Sequence, residues 1–404
     1  MKKNLFIKNN IQPKYLSSSI LKKLSKEYKK IILGIKNDVK NPKETLNVLS
    51  EKLKFNFENK DFKKFKKFKT IVVVGMGGSI LGAEAIYGFL RDKIENKFYF
   101  FDNLDSKKIS NFKKKNDLNK MLFIIISKSG NTVETISNVF TLNIIKKNSK
   151  NIIIISEKKN NLLFSLSKKF NLFYIEHKNY IGGRFSVLSE VGLVPAYFMG
   201  VNIKKLRSKI MTFLIKKENT FLKNSALKLA NLLYLKKVSN IIFINYSAEI
   251  EKLLYWCQQL IAESLGKKGT GFLPMISSAP KDHHSLLQLY LDGPRDKLFY
   301  IFSNESSSKE IVNVKKHTNT NHFLNNKSLN TVKFAQKNAL IKAFKKNKIP
   351  YREFKIKKSN EEVLGNLFSY FMLETIIIGK LVKINPFDQP AVEQIKTYTR
   401  RLLS

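Results

Sequence analysis

Cysteine is nearly absent from the chain: Cys257 is the single one in 404 residues. One thiol cannot form an intrachain disulfide, so no oxidised framework braces the fold, and a reducing, cytoplasmic compartment is expected. Proline and glycine are also sparse, at nine and seventeen residues. That leaves no room for a long disordered tail. Long apolar runs are missing as well. The richest, 367–384, is broken by Ser369, Glu374, Lys380 and Lys383, which predicts a buried helix and not a membrane span. The opening residues, MKKNLFIKNNIQPKYL, lack the unbroken apolar core of a signal peptide, so neither export nor membrane insertion is expected.

Acidic residues are few, 31 against 74 basic ones, for a formal charge of +43. Arginine is scarce within that excess, with seven residues, and the lysines are scattered beside abundant Asn and Ile. Specific nucleic-acid readers work with arginine forks or a confined basic stripe. No specific nucleic-acid partner is therefore expected, and any adhesion to polyanions should be sequence-blind and fade with salt.

What is present is 43% hydrophobic residues in a chain long enough for two α/β domains. Residues 1–60 read as a helical leader, with Ser17 to Ser19 capping a helix whose Ile20, Leu21, Leu24, Tyr28, Ile31 and Ile32 recur at helical spacing. The stretch FKKFKKFK reads as an exposed segment anchored by its phenylalanines. A strand and helix rhythm follows, with strands at 71–74, 98–101, 122–126, 152–155 and 172–175. It restarts after helices near 204–236, with strands at 241–245, 298–302 and 352–356. Such alternation predicts an α/β fold of two tandem αβα sandwich domains with mainly parallel sheets, at 61–203 and 204–384, and a C-terminal helical tail at 385–404.

Five clusters carry candidate chemistry. The first strand runs into Gly75-Met76-Gly77-Gly78-Ser79, where backbone amides can approach a ligand or glycines can serve tight packing alone. The third runs into Ser127-Lys128-Ser129-Gly130-Asn131-Thr132, which places hydroxyls, an ammonium and free helix amides together as a phosphate cradle, with Thr132 also a candidate N-cap. Gly182-Gly183-Arg184 puts a fixed cation after a sharp turn, for a developing anion or for a structural carboxylate. Gln259 and Glu263 lie four apart on one helical face near Gly266, and a carboxylate there is a candidate general base. His283 and His284 are adjacent, but no His or Cys set stands at metal-ligand spacing, so acid/base work is the better use.

Taken together, GMGGS, SKSGNTVET, GGRFSVLS, QQLIAESLGK, DHHSLLQLYLDGP and NPFDQPAVEQIK resemble the glucose-6-phosphate isomerase family in order and number, over most of the chain after Ile71. The resemblance implies two sugar-isomerase domains and interconversion of glucose 6-phosphate and fructose 6-phosphate through an enediol, without metal or other cofactor. It implies Glu263 as the base between C1 and C2, His284 assisting ring opening, Arg184 stabilising the enediolate, and Lys396 as a further catalytic position. Ser127, Lys128, Ser129 and Thr132 match the phosphate loop, and Gly78, Ser79, Gln259 and Gln389 match other substrate-facing positions. It also implies a homodimer in which His284 enters from the neighbouring subunit. A glucose/mannose 6-phosphate isomerase or a noncatalytic sugar-phosphate regulator on the same domains are the alternatives. Asn131 stands where the family usually has threonine, and His283 where it commonly has glutamine.

Overall fold

The computed structural model describes residues 4–305, 310–318, 320 and 322–404, with backbone alone for 216–218. Twelve strands appear among the described residues: β1 Leu5–Asn10, β2 Thr70–Val74, β3 Lys97–Phe101, β4 Met121–Ile126, β5 Ile152–Ser156, β6 Phe173–Glu176, β7 Asn240–Asn245, β8 Leu273–Ser278, β9 Lys297–Asn304, β10 Ile311–Val312, β11 Lys327–Ser328 and β12 Tyr351–Ile356. The first sheet has the order β3-β2-β4-β5-β6 and is parallel throughout. The second has the order β1-β12-β9-β7-β8 and is parallel except for β1, which joins its edge antiparallel, Leu5 opposite Ile356.

The central strands are apolar without alternation because helices cover both faces. All six residues of β4 and all five of β5 are buried. Neighbouring residues still serve different layers: Ile71 and Val73 join the large core between the sheets, while Val72 and Val74 pack outward with Phe101, Ile109 and Phe112. The second sheet does the same, Ile241 and Phe243 facing the shared core and Ile242 and Ile244 facing away. That shared core contains the helices Leu81–Phe89, Glu251–Leu265 and Glu361–Leu381. Glu361–Leu381 is the one described helix long and apolar enough to cross a membrane, and 94% of its apolar window is buried inside the protein.

The leader differs from its reading. Ser17 caps the helix Ser18–Lys40 as expected, accepting from the Ile20 amide at 3.4 Å, but 5–10 is a strand of the second sheet. A short edge strand whose exposed residues are Phe6 and Lys8 leaves little periodic signal. Residues 1–3 of that leader lie outside the described residues. In the FKKFKKFK stretch Phe62, Phe65 and Phe68 are buried while the lysines face out. The helix Val392–Leu403 buries none of its residues.

Candidate active site

The site forms at the carboxyl ends of the first sheet's strands, where ligands of open α/β sheets gather. After β2, Gly77 takes φ of 53° and Gly78 presses on the loop that follows β6: a Cβ on Gly78 would sit 2.3 Å from the Gly183 carbonyl carbon. A Cβ on Gly77 would meet Gln259 Nε2 at 2.8 Å. Glycine here lets two backbones and the Gln259 amide converge, so the packing reading accounts for Gly78. Ser79 ends the turn Gly77–Ser79 and is half-buried.

After β4 the hydroxyls turn toward one another. Ser127 Oγ lies 2.8 Å and Ser129 Oγ 3.5 Å from Thr132 Oγ1. Thr132 occupies the N-cap of the helix Val133–Leu142 without a side-chain cap bond, so its hydroxyl serves this cluster and leaves the first-turn amides without an acceptor from the cap side chain. Free amides at a helix start favour an anion. Asn131 turns away, its Oδ1 accepting from the Leu162 amide at 2.9 Å to tie the loop to the next helix. Below it, Gly130 has φ of 69°, and a Cβ there would strike the buried Asn161 Oδ1. Lys128 Nζ donates to the Asn179 carbonyl at 2.8 Å and lies 3.7 Å from Glu157. Burial holds the Lys128 ammonium below its usual pKa, with Glu157 opposing.

Arg184 organises the other wall. Its side chain is 3% exposed, and each of its guanidinium nitrogens finds an oxygen. Nε donates to Ser264 Oγ at 2.8 Å, Nη1 to Glu263 Oε2 at 3.1 Å and Gln389 Oε1 at 2.9 Å, and Nη2 to the carbonyls of Pro386 at 2.6 Å and Asp388 at 3.0 Å. Five donors in a rigid fork thus fix the cation against both the Glu263 helix and the tail. Burial lowers the Arg184 pKa from its ordinary value, with Glu263 opposing. Glu263 keeps 30% side-chain exposure and takes its second bond from Gln259 Nε2 at 2.8 Å, one turn earlier on the helix Glu251–Leu265. Gln259 Oε1 is buried without a partner among the described residues, and such an acceptor beside the carboxylate is what a ligand hydroxyl would satisfy.

Two candidate catalytic residues stand apart from this network. His284 is exposed at the end of the turn Lys281–His284 and makes no side-chain hydrogen bond among the described residues, while His283 Nε2 lies 2.7 Å from the Tyr246 hydroxyl. Lys396 is exposed on Val392–Leu403, its Nζ bonded to Glu393 at 2.6 Å. Sequence reasoning did not single out Ser264 or the Pro386 and Asp388 carbonyls as Arg184 acceptors. Ser264 adjoins Glu263, but nothing in its spacing reveals its partner, and backbone carbonyls carry no residue signature. Among the described residues no group of three or more His, Cys, Asp or Glu could hold a metal ion. A separate cleft of about 920 Å³ lies at the opposite end of the first sheet, near Lys69 and Asn96, and shares none of these residues.

A hydroxyl cluster at a helix start and a carboxylate held by an amide and a buried cation, on parallel sheets, are groups with which an α/β protein can bind a phosphorylated polar metabolite. The chain belongs to the phosphoglucose isomerase family, whose model matches residues 33–404. It is 34% identical over 403 residues to a probable glucose-6-phosphate isomerase of Methanococcus maripaludis, covering 96% of this chain and 91% of that one. It is 35% identical over 363 residues to a glucose-6-phosphate isomerase of Methanocaldococcus jannaschii, covering 86% and 87%. Among solved structures, a hypothetical protein from Thermus thermophilus shares the fold at a TM-score of 0.79 and 24% identity, over 99% of this chain and 100% of that one. A glucose-6-phosphate isomerase from Chlamydia trachomatis shares it at 0.71 and 19%, over 85% and 71%.

Proposed function

We infer that the protein interconverts glucose 6-phosphate and fructose 6-phosphate through an enediol, as a glucose-6-phosphate isomerase acting without a metal. Beyond the family match, the observation that supports this most is the Glu263 carboxylate held between Gln259 and Arg184. With the open-chain aldose bound, Glu263 takes the proton from C2. The C–H electron pair forms the C1=C2 bond, and the carbonyl π electrons move onto the C1 oxygen. Arg184 stabilises that developing charge, the general role of a preorganised cation in a water-poor site. Glu263 then returns the proton to C1 while the proton of the C2 hydroxyl passes to the C1 oxygen, which leaves the ketose. Ser127, Lys128, Ser129 and Thr132 hold the phosphate, whose remote grip orients the reacting carbons. Gly78, Ser79, Gln259 and Gln389 line the sugar.

Ring opening precedes this step and needs a proton moved between the ring oxygen and the C1 hydroxyl. His284 of the partner subunit supplies it in a two-fold homodimer, with Lys396 beside it. The exposure of His284 supports this, as does its setting: β8, the strand leading into its turn, is a sheet edge carrying Leu273 at 59% and Met275 at 48% exposure. Exposed apolar residues along an open edge favour a second chain. The single buried thiol, Cys257, suits a reducing cytoplasm. Fructose 6-phosphate given to purified, exhaustively chelated protein should yield glucose 6-phosphate. No conversion, or conversion lost on chelation and restored by one divalent ion, would contradict the reading.

A further inference from the structure

Three of the five oxygens that orient Arg184 belong to 386–389, so whatever fixes that segment fixes the cation. The segment's far side is held by Lys267. Its Nζ donates to the Asn385 carbonyl at 2.6 Å and pairs with Asp388 Oδ1 at 2.8 Å, with the lysine side chain 12% exposed. The other Asp388 oxygen accepts from Asn385 Nδ2 at 3.0 Å, and Asn385 Oδ1 accepts from the Phe387 amide at 3.0 Å. Carboxylate, amide and ammonium therefore close a small knot whose opposite face presents the Pro386 and Asp388 carbonyls to Arg184.

The root of Lys267 is equally fixed. It follows the helix that carries Glu263 and sits in a turn closed by reciprocal Lys267 and Thr270 backbone bonds of 3.1 and 3.0 Å, with the Thr270 hydroxyl on the Lys267 carbonyl at 2.9 Å. Lys268 and Gly269 take φ of 51° and 67° to make that turn. One helix end thus sets both the carboxylate and the clamp on the segment that aims the arginine. Lys267 also holds the Asp388 carboxyl below the usual carboxylate range.

We propose that Lys267 is a positioning residue for the isomerisation: it clamps 385–389 against Arg184 so that the guanidinium stays aimed at the Glu263 carboxylate. This rests on the function inferred above. Without the clamp the phosphate cradle is untouched, so the loss belongs in turnover more than in binding. Lys267→Met should lower kcat at least about 10-fold while KM for fructose 6-phosphate moves less than about 3-fold. Lys267→Arg, which keeps a cation there, should recover most of that loss. Because Lys267 and Asp388 share one interaction, adding Asp388→Asn to Lys267→Met should lower kcat little further. Thermal melting and far-UV circular dichroism on the same samples establish that each variant is folded. A folded Lys267→Met with wild-type kcat overturns the proposal. So does a loss that the arginine variant does not relieve, or one explained fully by a smaller folded fraction. If the wild-type protein isomerises neither sugar phosphate, the inferred function fails first and takes this step with it.

Discussion

The two sides of the candidate site are built differently. On one, Arg184 directs its donors at oxygens from two segments, the Glu263 helix and 386–389, and Glu263 accepts from both Gln259 and Arg184. On the other, the His284 side chain has no hydrogen-bond partner among the described residues, and Lys396 bonds only within its own exposed helix. Electrostatic stabilisation of an anion demands groups fixed before the reaction, because dipoles that must reorient cancel their own benefit. The folded single chain supplies that fixed side. The groups proposed for ring opening, His284 and Lys396, lie instead on exposed surfaces that a second chain could cover.

Removing the base from the fixed side should have the largest effect. Glu263→Gln keeps the size and an acceptor oxygen for Arg184, so sugar-phosphate binding should persist while turnover falls at least about 10²-fold. Exchange of the substrate C2 hydrogen with solvent, followed by NMR in deuterated buffer, should fall with it. Near-normal exchange in the variant would remove Glu263 from its role and erase the distinction between the two sides.

A smaller effect tests whether the fixed side depends on buried groups. His177 is 2% exposed, its Nδ1 lies 2.9 Å from the Lys178 carbonyl, and it begins the segment whose Asn179 carbonyl holds Lys128. Burial lowers its pKa from 6.5 to about 4. The unfolded chain therefore binds a proton first as pH falls: the native state is unpenalised above pH 6.5, and stability is lost progressively until the folded pKa near 4 is reached. The full loss is about 3 kcal/mol from a shift of that size. Urea midpoints between pH 7 and 4 should fall more steeply for wild type than for His177→Asn; parallel slopes would show that this histidine does not carry the acid sensitivity.

Much of the architecture was legible because buried parallel strands are continuous apolar runs. The reading 122–126 falls within the fully buried β4, Met121–Ile126, and the Gly and Ser motifs fall where strand-ending turns need them. Four strands escaped: β10 and β11, two residues each and too short to show a pattern, and the sheet strands β1 and β8. In β1 an edge position leaves Leu5 alone buried, and in β8, LPMISS, a proline and exposed Leu273 and Met275 obscure any pattern. At the site, the pairing of Gln259 with Glu263 follows from helical spacing, and the structure bonds them at 2.8 Å. What the spacing cannot reveal is contact across the fold, such as Arg184 with Ser264, eighty positions away, or the Lys267 ammonium on Asp388. Asn131 shows a related limit. Its residue type raises a question about the phosphate loop, and the structure adds that its Oδ1 is turned to the Leu162 amide, which residue type alone does not reveal.

The division of the site between chains is tested most directly by mixing two inactive proteins. Glu263→Gln and His284→Ala chains are co-expressed with different tags, and doubly tagged dimers are verified. In a mixed dimer one site receives intact Glu263 from the second chain and intact His284 from the first, while the other site lacks both. Random pairing of equal amounts makes about half the dimers mixed, so the unfractionated mixture should recover roughly a quarter of wild-type activity if sites act independently. Verified mixed dimers as inactive as either parent, or a stable monomer with full activity, would contradict the account.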